Sequence, residues 1–291
     1  MKYFLAYLLA FYLALPAQAD RLSVDAKQRS YILDGAGPKP KPLIIALHGG
    51  GGSARQFRRQ SGIETAALAK GFSVVWPDAI GGNWNDGRLN RRRQLVHDEN
   101  DQGFIRALVR KLVADGLADA KRIYVTGMSN GGIMAFRLVC DNPDLILGAA
   151  PVAANMPVPA GCKRTSPLAL FNIVGTDDTF APTAGGAILG RARQGQVISS
   201  AETLVLFQHL ANCRGVPKVT TIDRVAEDGT SLYISEAQGC AAPITQVQVV
   251  AGGHAWPGKN SPLDWITGVN SREINATTAL VDFFAGLESQ P

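Results

Sequence analysis

The chain has 291 residues, of which 46% are hydrophobic and 18% are charged. This length suits one large or two small α/β domains, and the composition excludes a wholly disordered chain because enough apolar surface exists to build a core. The 29 basic and 24 acidic residues give a formal net charge of +5, which is too small and too dispersed to predict nucleic-acid binding.

Residues 1–19 have the features of an export signal. Lys2 precedes an apolar run over residues 4–15 that is too short to span a bilayer comfortably, and residues 17–19 (AQA) have the small-x-small pattern of a cleavage site. We therefore expect cleavage after Ala19, a mature chain of residues 20–291 and a secreted or periplasmic location. The alternative is an uncleaved anchor, whereas cleavage would leave no stable membrane anchor.

Apolar runs and helical patterns alternate along the mature chain. The predicted strands are residues 43–47, 72–76, 122–126, 168–174 and 245–250. The predicted helices are residues 54–70, 102–117, 130–140 and 274–287. This alternation is typical of the α/β class, with a mainly parallel sheet covered by helices on both faces. Residues 219–235 carry the hairpin signal Asp228-Gly229 and predict a small antiparallel addition.

The four cysteines all lie in the expected mature chain. An even number in an exported protein favours disulfides. We predict the pairs Cys140–Cys162 and Cys213–Cys240, because each closes a local loop; four buried free thiols are the alternative. The cysteine spacing does not match a zinc site, and we expect neither a metal nor an organic cofactor.

Residues 127–132 (GMSNGG) contain the G-x-S-x-G pattern between a predicted strand and a predicted helix. This is the context of a nucleophile elbow, a turn so tight that glycine is needed two residues either side of the serine. The pattern alone is common by chance in a chain with 31 glycines, and a plain glycine turn is the alternative. Its position between a strand and a helix makes the signal specific, and it predicts that Ser129 is a nucleophile.

A serine hydroxyl needs a base to become a nucleophile. In hydrolases with a nucleophile elbow, the chain order is serine, then an acidic residue, then the histidine that acts as the base. His209 and His254 both follow Ser129. His209 falls within a helical pattern, where a histidine is usually packed, whereas His254 lies in a glycine-rich loop after the strand 245–250. We therefore predict that His254 is the base.

The third member of such a triad orients the imidazole. Residues 175–179 (GTDDT) follow the predicted strand 168–174 and lie between the serine and the histidine. Asp177 and Asp178 both fit from spacing alone, and the other one is expected to form a turn.

Acyl transfer also needs an oxyanion hole. Residues 48–53 (HGGGGS) follow an early strand, as in lipases and esterases. We predict donors at the backbone N–H groups of Gly50 and Asn130, with Gly51 as the second choice for Gly50. A phosphate-binding loop is disfavoured because the Gly-Lys-Ser/Thr sequence and the dinucleotide-binding glycine spacing are absent.

Two charged clusters have less specific interpretations. One is interpreted as a solvated loop, with a clamp for an acidic substrate as the alternative, and comprises Arg88, Arg91, Arg92 and Arg93. The other contains metal-ligand residue types, although a charged helix start is the preferred interpretation, and comprises His97, Asp98, Glu99 and Asp101.

Seven segments together resemble the polyhydroxybutyrate depolymerase family of esterases, which also contains bacterial feruloyl and acetyl-xylan esterases. They are RSYIL (29–33), LHGGGGSA (47–54), NWNDGR (83–88), DQGFI (101–105), RIYVTGMSNGG (122–132), GTDDTFAP (175–182) and GGHAWPG (252–258). The resemblance runs from about residue 21 to residue 287, which is nearly the whole mature chain.

The resemblance implies one α/β-hydrolase catalytic domain over residues 20–291 and a triad of Ser129, Asp178 and His254. It assigns the aspartate because Asp178 matches the catalytic position of the family's G-T-x-D-x-x-x-P pattern. Trp84 and Trp256 fall at aromatic positions near the substrate cleft of the family, with core packing as their alternative role.

Two departures from the family bear on the substrate. Gly50 stands where many members have a cysteine, so we expect no disulfide at that point, and we expect no separate polymer-binding domain. The predicted substrates are small or oligomeric esters such as hydroxybutyrate oligomers, with feruloyl or acetyl-xylan sugar esters as the alternative. Acyl transfer to an acceptor other than water and an inactive binding scaffold are less favoured hypotheses.

Overall fold

A computed structural model describes residues 19–89, 96–188, 195–259 and 264–289. Residues 1–18 of the predicted export signal lie outside the described residues, as do Arg91, Arg92 and Arg93. Across the described ranges, no helix is both long enough and apolar enough to cross a membrane.

Twelve strands are present in the described residues. They are β1 (Asp20–Val24), β2 (Lys27–Asp34), β3 (Lys41–Leu47), β4 (Ser73–Pro77), β5 (Ala118–Met128), β6 (Gly148–Val152), β7 (Ala169–Gly175), β8 (Gly186–Ala187), β9 (Gln196–Val197), β10 (Lys218–Ile222), β11 (Ser231–Glu236) and β12 (Ile244–Val250). The helices are α1 (Ala54–Ser61), α2 (Ile63–Ala69), α3 (Asp101–Ala114), α4 (Asn130–Asp141), α5 (Ser200–Leu210), α6 (Asp264–Thr267) and α7 (Ala276–Glu288).

Ten of the strands form one sheet, in the order β1-β2-β4-β3-β5-β6-β7-β12-β11-β10. The six strands from β4 to β12 in this order pair in parallel, whereas the two strands at each end pair antiparallel. The mainly parallel sheet predicted from the sequence is therefore confirmed. Strands β8 and β9 form a separate two-stranded hairpin.

Helices cover both faces of the sheet because the central strands are apolar on both sides. In β3, Leu43, Ile45 and Leu47 belong to the hydrophobic cluster on one face, which also contains side chains from α3, α4 and α5. Ile44 and Ala46, the alternate residues of β3, belong to the cluster on the opposite face, under α1, α2 and α7. The two-residue period of the strand thus divides one continuous apolar run between two cores.

The predicted helix over residues 54–70 is two helices in the structure. Gly62 separates α1 from α2 with a left-handed φ of 65°, and its N–H donates to the Arg58 carbonyl oxygen. Glycine adopts this conformation without the steric cost that a Cβ would bring, so the chain turns there.

The predicted hairpin over residues 219–235 is present as β10 and β11. It extends the main sheet beyond β12 instead of standing apart from it. The connection ends in a short 3₁₀ turn, Ala226–Asp228, followed by Gly229 with φ of 70°. Disulfide Cys213–Cys240 joins the two ends of the hairpin, and disulfide Cys140–Cys162 joins α4 to a following loop. Both pairings are those expected from the sequence.

Candidate active site

Ser129 occupies a strained turn between β5 and α4. Its φ of 55° and ψ of −122° are unusual for a residue with a side chain. Its backbone N–H donates to the carbonyl oxygen of Val152 on the neighbouring strand β6, at 2.9 Å. The parallel sheet on one side and the helix on the other therefore hold this backbone conformation in place, which is how strain persists at a functional site.

The glycines around Ser129 are required by close backbone contacts. A Cβ on Gly131 would collide with the backbone of Leu47 and His48, and a Cβ on Gly127 would collide with the backbone of Gly131. The start of α4 is thus pressed against the end of β3. This close approach is the physical reason for the G-x-S-x-G spacing, and it brings the serine beside the glycine-rich loop that follows β3.

His254 and Asp178 form a buried hydrogen-bonded pair. His254 Nδ1 lies 2.7 Å from Asp178 Oδ2, and the two residues are 9% and 5% exposed. The other carboxylate oxygen accepts hydrogen bonds from the N–H groups of Phe180 and Ala181 at 2.8 and 2.7 Å. Asp177, by contrast, is exposed and accepts a hydrogen bond from its neighbour Thr176. The geometry therefore pairs the histidine with Asp178.

Two glycines, Gly175 and Gly253, allow the loops that carry this pair to meet. Asp178 follows β7 and His254 follows β12, and these two strands are neighbours in the sheet. A Cβ on Gly175 would collide with the backbone of Gly252 and Gly253, and a Cβ on Gly253 would collide with the backbone of Thr267 and Gly268. The backbone N–H of His254 also donates to the Thr267 carbonyl oxygen at 2.6 Å.

One cleft of about 240 Å³ brings Ser129, His254 and the glycine-rich loop together. Its lining residues are His48, Gly49, Gly50, Gly51, Gly52, Ser53, Gln56, Phe57, Gln60, Met128, Ser129 and His254. The three chain segments that the sequence singled out for nucleophile, base and oxyanion binding therefore share one cavity.

The backbone donors of the glycine-rich loop are not equivalent. The Gly51 N–H donates to the Gly82 carbonyl oxygen at 2.8 Å, and the Gly52 N–H donates to the Gly49 carbonyl oxygen at 3.1 Å. Within the described residues, the N–H groups of Gly50 and Asn130 have no such backbone acceptor. The two N–H groups predicted to bind the oxyanion therefore have no competing backbone partner in this part of the chain.

The family model for the alpha/beta hydrolase fold matches residues 42–189 of the chain. A protein described as an esterase, NocK of Nocardia uniformis subsp. tsuyamanensis, is 31% identical over 264 residues, which are 86% of this chain and 75% of the relative. The chain belongs to the α/β-hydrolase family.

Further relatives of this hydrolase are also named as esterases or depolymerases. Feruloyl esterase B of Piromyces equi is 33% identical over 75% of the chain, and poly(3-hydroxyalkanoate) depolymerase C of Paucimonas lemoignei is 30% identical over 51% of it. The chain spans only 40% and 35% of the length of these two proteins. From the fold and these relatives we conclude that this hydrolase is an esterase.

A solved structure agrees on the fold. The acetyl xylan esterase of Aspergillus awamori superposes with a TM-score of 0.54 at 14% identity, over 81% of this chain and 94% of the solved chain. At this identity the likeness concerns the fold alone, and it places the α/β-hydrolase sheet across most of the chain.

His48 supports the glycine-rich loop of this hydrolase, a role that the sequence did not reveal. The residue is 1% exposed, its Nδ1 lies 2.8 Å from the Gly49 carbonyl oxygen, and its Nε2 accepts a hydrogen bond from the Ala79 N–H at 3.1 Å. These partners require a neutral ring with the proton on Nδ1. Burial is the main cause that lowers the pKa of His48 below its ordinary value of 6.5.

The side chain of Asn130 ties the elbow to a buried polar cluster. Its Oδ1 accepts from the Trp84 N–H at 2.7 Å, and its Nδ2 donates to Asp86 Oδ2 at 2.6 Å. Asp86 in turn forms a 2.7 Å ion pair with Arg88, and both side chains are nearly inaccessible. The interpretation of Arg88 as part of a solvated loop is therefore wrong, because it is a buried partner of the cluster behind Ser129.

The two tryptophans lie behind the cleft and not in its wall. Trp84 is fully buried, and its Nε1 donates to the His48 carbonyl oxygen at 2.9 Å. Trp256 is 6% exposed, its Nε1 donates to Thr277 Oγ1 at 3.0 Å, and its ring packs edge-on against Phe57, which lines the cleft. Their burial and these contacts favour the packing role.

The remaining candidates do not line the cleft. His209 is in the last turn of α5 and is exposed, so it is neither mid-helix nor packed. Asp101 begins α3, as expected for a charged helix start, and forms a buried 2.6 Å ion pair with Arg29. In the described ranges, no group of three or more histidine, cysteine or acidic side chains is placed to hold a metal ion.

Proposed function

We propose that this esterase is exported and cleaves carboxylic esters through an acyl-enzyme on Ser129. His254 acts as the general base and Asp178 holds its imidazole. The observation that carries the proposal is the 2.7 Å hydrogen bond between His254 Nδ1 and Asp178 Oδ2, in a pair whose histidine lines the same cleft as Ser129.

In the first step His254 Nε2 takes the proton of the Ser129 hydroxyl while Oγ attacks the ester carbonyl carbon. The imidazolium that forms carries its second proton on Nδ1, where the buried carboxylate of Asp178 stabilises the charge. The two backbone N–H groups that donate to Asp178 Oδ1 keep this carboxylate oriented. His254 then gives the proton from Nε2 to the alcohol as the tetrahedral intermediate collapses.

Gly50 and Asn130 are the proposed oxyanion donors. Gly50 lines the cleft that contains Ser129, and Asn130 directly follows Ser129 in the chain. Negative charge on the carbonyl oxygen is further favoured by the N-terminus of α4, which begins at Asn130. In the second step water, activated by His254, attacks the acyl-enzyme, and the acid leaves with Ser129 restored.

For the substrate we propose short hydroxyalkanoate esters, such as hydroxybutyrate oligomers. The poly(3-hydroxyalkanoate) depolymerase relative supports this class. The alternative is a feruloyl or acetyl ester of a cell-wall sugar, supported by the feruloyl esterase relative. A panel of hydroxybutyrate oligomers, methyl ferulate and an acetylated xylo-oligosaccharide separates the two classes by their kcat/KM values.

The N-terminal segment and the two disulfides bear on where the esterase works. We propose that residues 1–19 are a cleaved signal and that residues 20–291 form one catalytic domain in the periplasm or medium. The two disulfides support this location, because disulfides persist in oxidising compartments.

The mechanism is tested by Ser129→Ala, assayed with p-nitrophenyl butyrate. We expect kcat to fall by a factor on the order of 10⁶, with the unfolding transition retained. Ser53→Ala is the matched control, because Ser53 lines the same cleft and caps α1 through a 3.3 Å hydrogen bond from the Gln56 N–H. The control is expected to lose about 1 kcal/mol of stability but to keep its turnover. Retained turnover in Ser129→Ala would contradict the proposal.

A further inference from the structure

Helix α1 presents a polar pair to the cleft. Gln56 and Gln60 are both exposed, and both line the cavity that contains Ser129 and His254. They are four residues apart, so their side chains lie one above the other on the same side of the helix. Phe57, which is 4% exposed, forms the apolar surface between them and the sheet.

The orientation of this helix face is fixed from the opposite side. Arg58 donates to both carboxylate oxygens of Asp34, at 2.7 and 2.9 Å, and Trp76 Nε1 donates to the same carboxylate at 2.9 Å. Gln56 and Gln60 are each two residues from Arg58, which is about 200° of rotation around an α-helix. The bidentate ion pair therefore turns the two amides toward the cleft.

Neither glutamine side chain has a hydrogen-bond partner among the described residues, although both line the cleft that contains the candidate nucleophile. From these observations we propose that Gln56 and Gln60 form a subsite that binds successive ester carbonyls of a 3-hydroxyalkanoate oligomer next to the ester attacked by Ser129. This subsite rests on the proposed function and adds a determinant of chain-length preference to it.

The amide chemistry fits such a chain. An ester carbonyl only accepts hydrogen bonds, and each glutamine NH₂ group is a neutral donor. Side chains four residues apart on a helix are roughly 5–6 Å apart at Cβ. The extended three-bond repeat of a peptide spans 3.3–3.6 Å, so the four-bond repeat of a 3-hydroxyalkanoate spans roughly 4.4–4.8 Å. Flexible glutamine side chains accommodate the small difference.

The cleft is small and partly apolar. At about 240 Å³ the cavity lies below the roughly 300–1,000 Å³ of ordinary small-molecule pockets. A 3-hydroxyalkanoate alternates an alkyl-bearing carbon with an ester carbonyl. Phe57 and Met128 offer apolar contacts for the alkyl groups, while the two amides on the rim meet the carbonyls.

The test replaces the amides without changing side-chain length or helix propensity, using Gln56→Met, Gln60→Met and the double variant. Gln28→Met is the matched control, because Gln28 is exposed on β2 and is not among the residues that line the cleft. Each variant is assayed with p-nitrophenyl butyrate, which has one ester, with a methyl-capped 3-hydroxybutyrate trimer and with an acetylated xylo-oligosaccharide.

We expect each single variant to lose roughly three- to tenfold in kcat/KM for the trimer, and the double variant about 10- to 100-fold, since one neutral hydrogen bond is lost per amide. Turnover of p-nitrophenyl butyrate is expected to stay within about twofold of wild type. The Gln28→Met control should match wild type on all three substrates.

Three results from the variants would overturn the subsite: equal losses on the trimer and on p-nitrophenyl butyrate, no loss on the trimer, or a loss confined to the sugar ester. Wild-type enzyme that turns over p-nitrophenyl butyrate but not the trimer would also overturn it. In each of these cases Ser129-dependent turnover of p-nitrophenyl butyrate leaves the proposed mechanism intact, so failure of the subsite is distinguishable from failure of the mechanism.

Discussion

The centre and the ends of the ten-stranded sheet are built differently. In the parallel centre, every residue of β4 and β6 is buried. At the antiparallel ends, β1 and β10 contain no buried residue. The centre needs helices on both faces, whereas the two outermost strands carry only partly covered and exposed side chains.

The predicted catalytic residues follow strands of the parallel centre, and none of them follows a strand at the ends. His48, Ser129, Asp178 and His254 follow β3, β5, β7 and β12, so all four lie at the carboxyl end of the parallel strands. Ligands of open α/β sheets bind at this edge. The ends of the sheet place no residue in the cleft, and β10–β11 is instead fastened by a disulfide. Changes in the centre should therefore alter turnover, and changes in β10–β11 should alter stability.

Among the changes that compare the centre of the sheet with its ends, the largest effect is expected at Asp178. Asp178→Asn should lower kcat by a factor on the order of 10³–10⁴, because an amide cannot hold the imidazole in the required tautomer or stabilise its charge. Asp177→Asn, the adjacent matched control, should keep wild-type turnover because its carboxylate is exposed and does not contact His254. Steady-state kinetics on p-nitrophenyl butyrate measures both effects. A larger loss of kcat in Asp177→Asn than in Asp178→Asn would contradict the assignment of Asp178 as the partner of His254.

Disulfide Cys213–Cys240, at the β10–β11 end of the sheet, is expected to affect stability and not turnover. Replacing Cys213 and Cys240 together with alanine should lower the free energy of unfolding by about 3 kcal/mol, since the bridge closes a loop with a sequence separation of 27 residues. The kcat on p-nitrophenyl butyrate should stay within about twofold of wild type. Denaturant titration measures the free energy of unfolding, and steady-state kinetics measures kcat. A loss of turnover in protein that remains folded would show that the ends of the sheet do shape the cleft.

A smaller, pH-dependent effect is expected at His48. Burial lowers its pKa in the folded protein below 6.5, so below that pH the unfolded chain takes up a proton that the folded chain does not. The free energy of unfolding should therefore fall with acid, by up to about 1.4 kcal/mol per pH unit from this residue. Denaturant titrations between pH 7 and pH 5 should show a shallower fall in His48→Asn. Equal slopes in both proteins would contradict this account.

The sequence predicted the elements that carry strong local signals. The elbow around Ser129 and the loop of His254 follow apolar strands, and strand–turn–helix spacing is sufficient to locate both. Spacing did not distinguish Asp177 from Asp178. That choice depends on which carboxylate reaches His254, 76 residues further along the chain, and only the resemblance to a family indicated it in advance.

Other features depend on contacts that local patterns do not report. Strand β6 (GAAPV) contains Gly148 and Pro151, which argue against a central strand, yet it pairs between β5 and β7. The buried position of His48 depends on the Ala79 N–H, 31 residues away. The arginine-rich sequence around Arg88 is typical of a solvated loop. The burial of Arg88 and its partner Asp86 comes from tertiary contacts that the local sequence does not report.

The central claim, that Ser129 is the nucleophile activated by His254, is tested most directly by covalent labelling. Wild-type protein and His254→Ala are treated with diisopropyl fluorophosphate, and the modified peptide is located by mass spectrometry. We predict one adduct per chain on Ser129 in the wild type, formed in parallel with loss of esterase activity, and far slower labelling in His254→Ala. Inactivation with the adduct on any other residue, or equal labelling rates in both proteins, would contradict it.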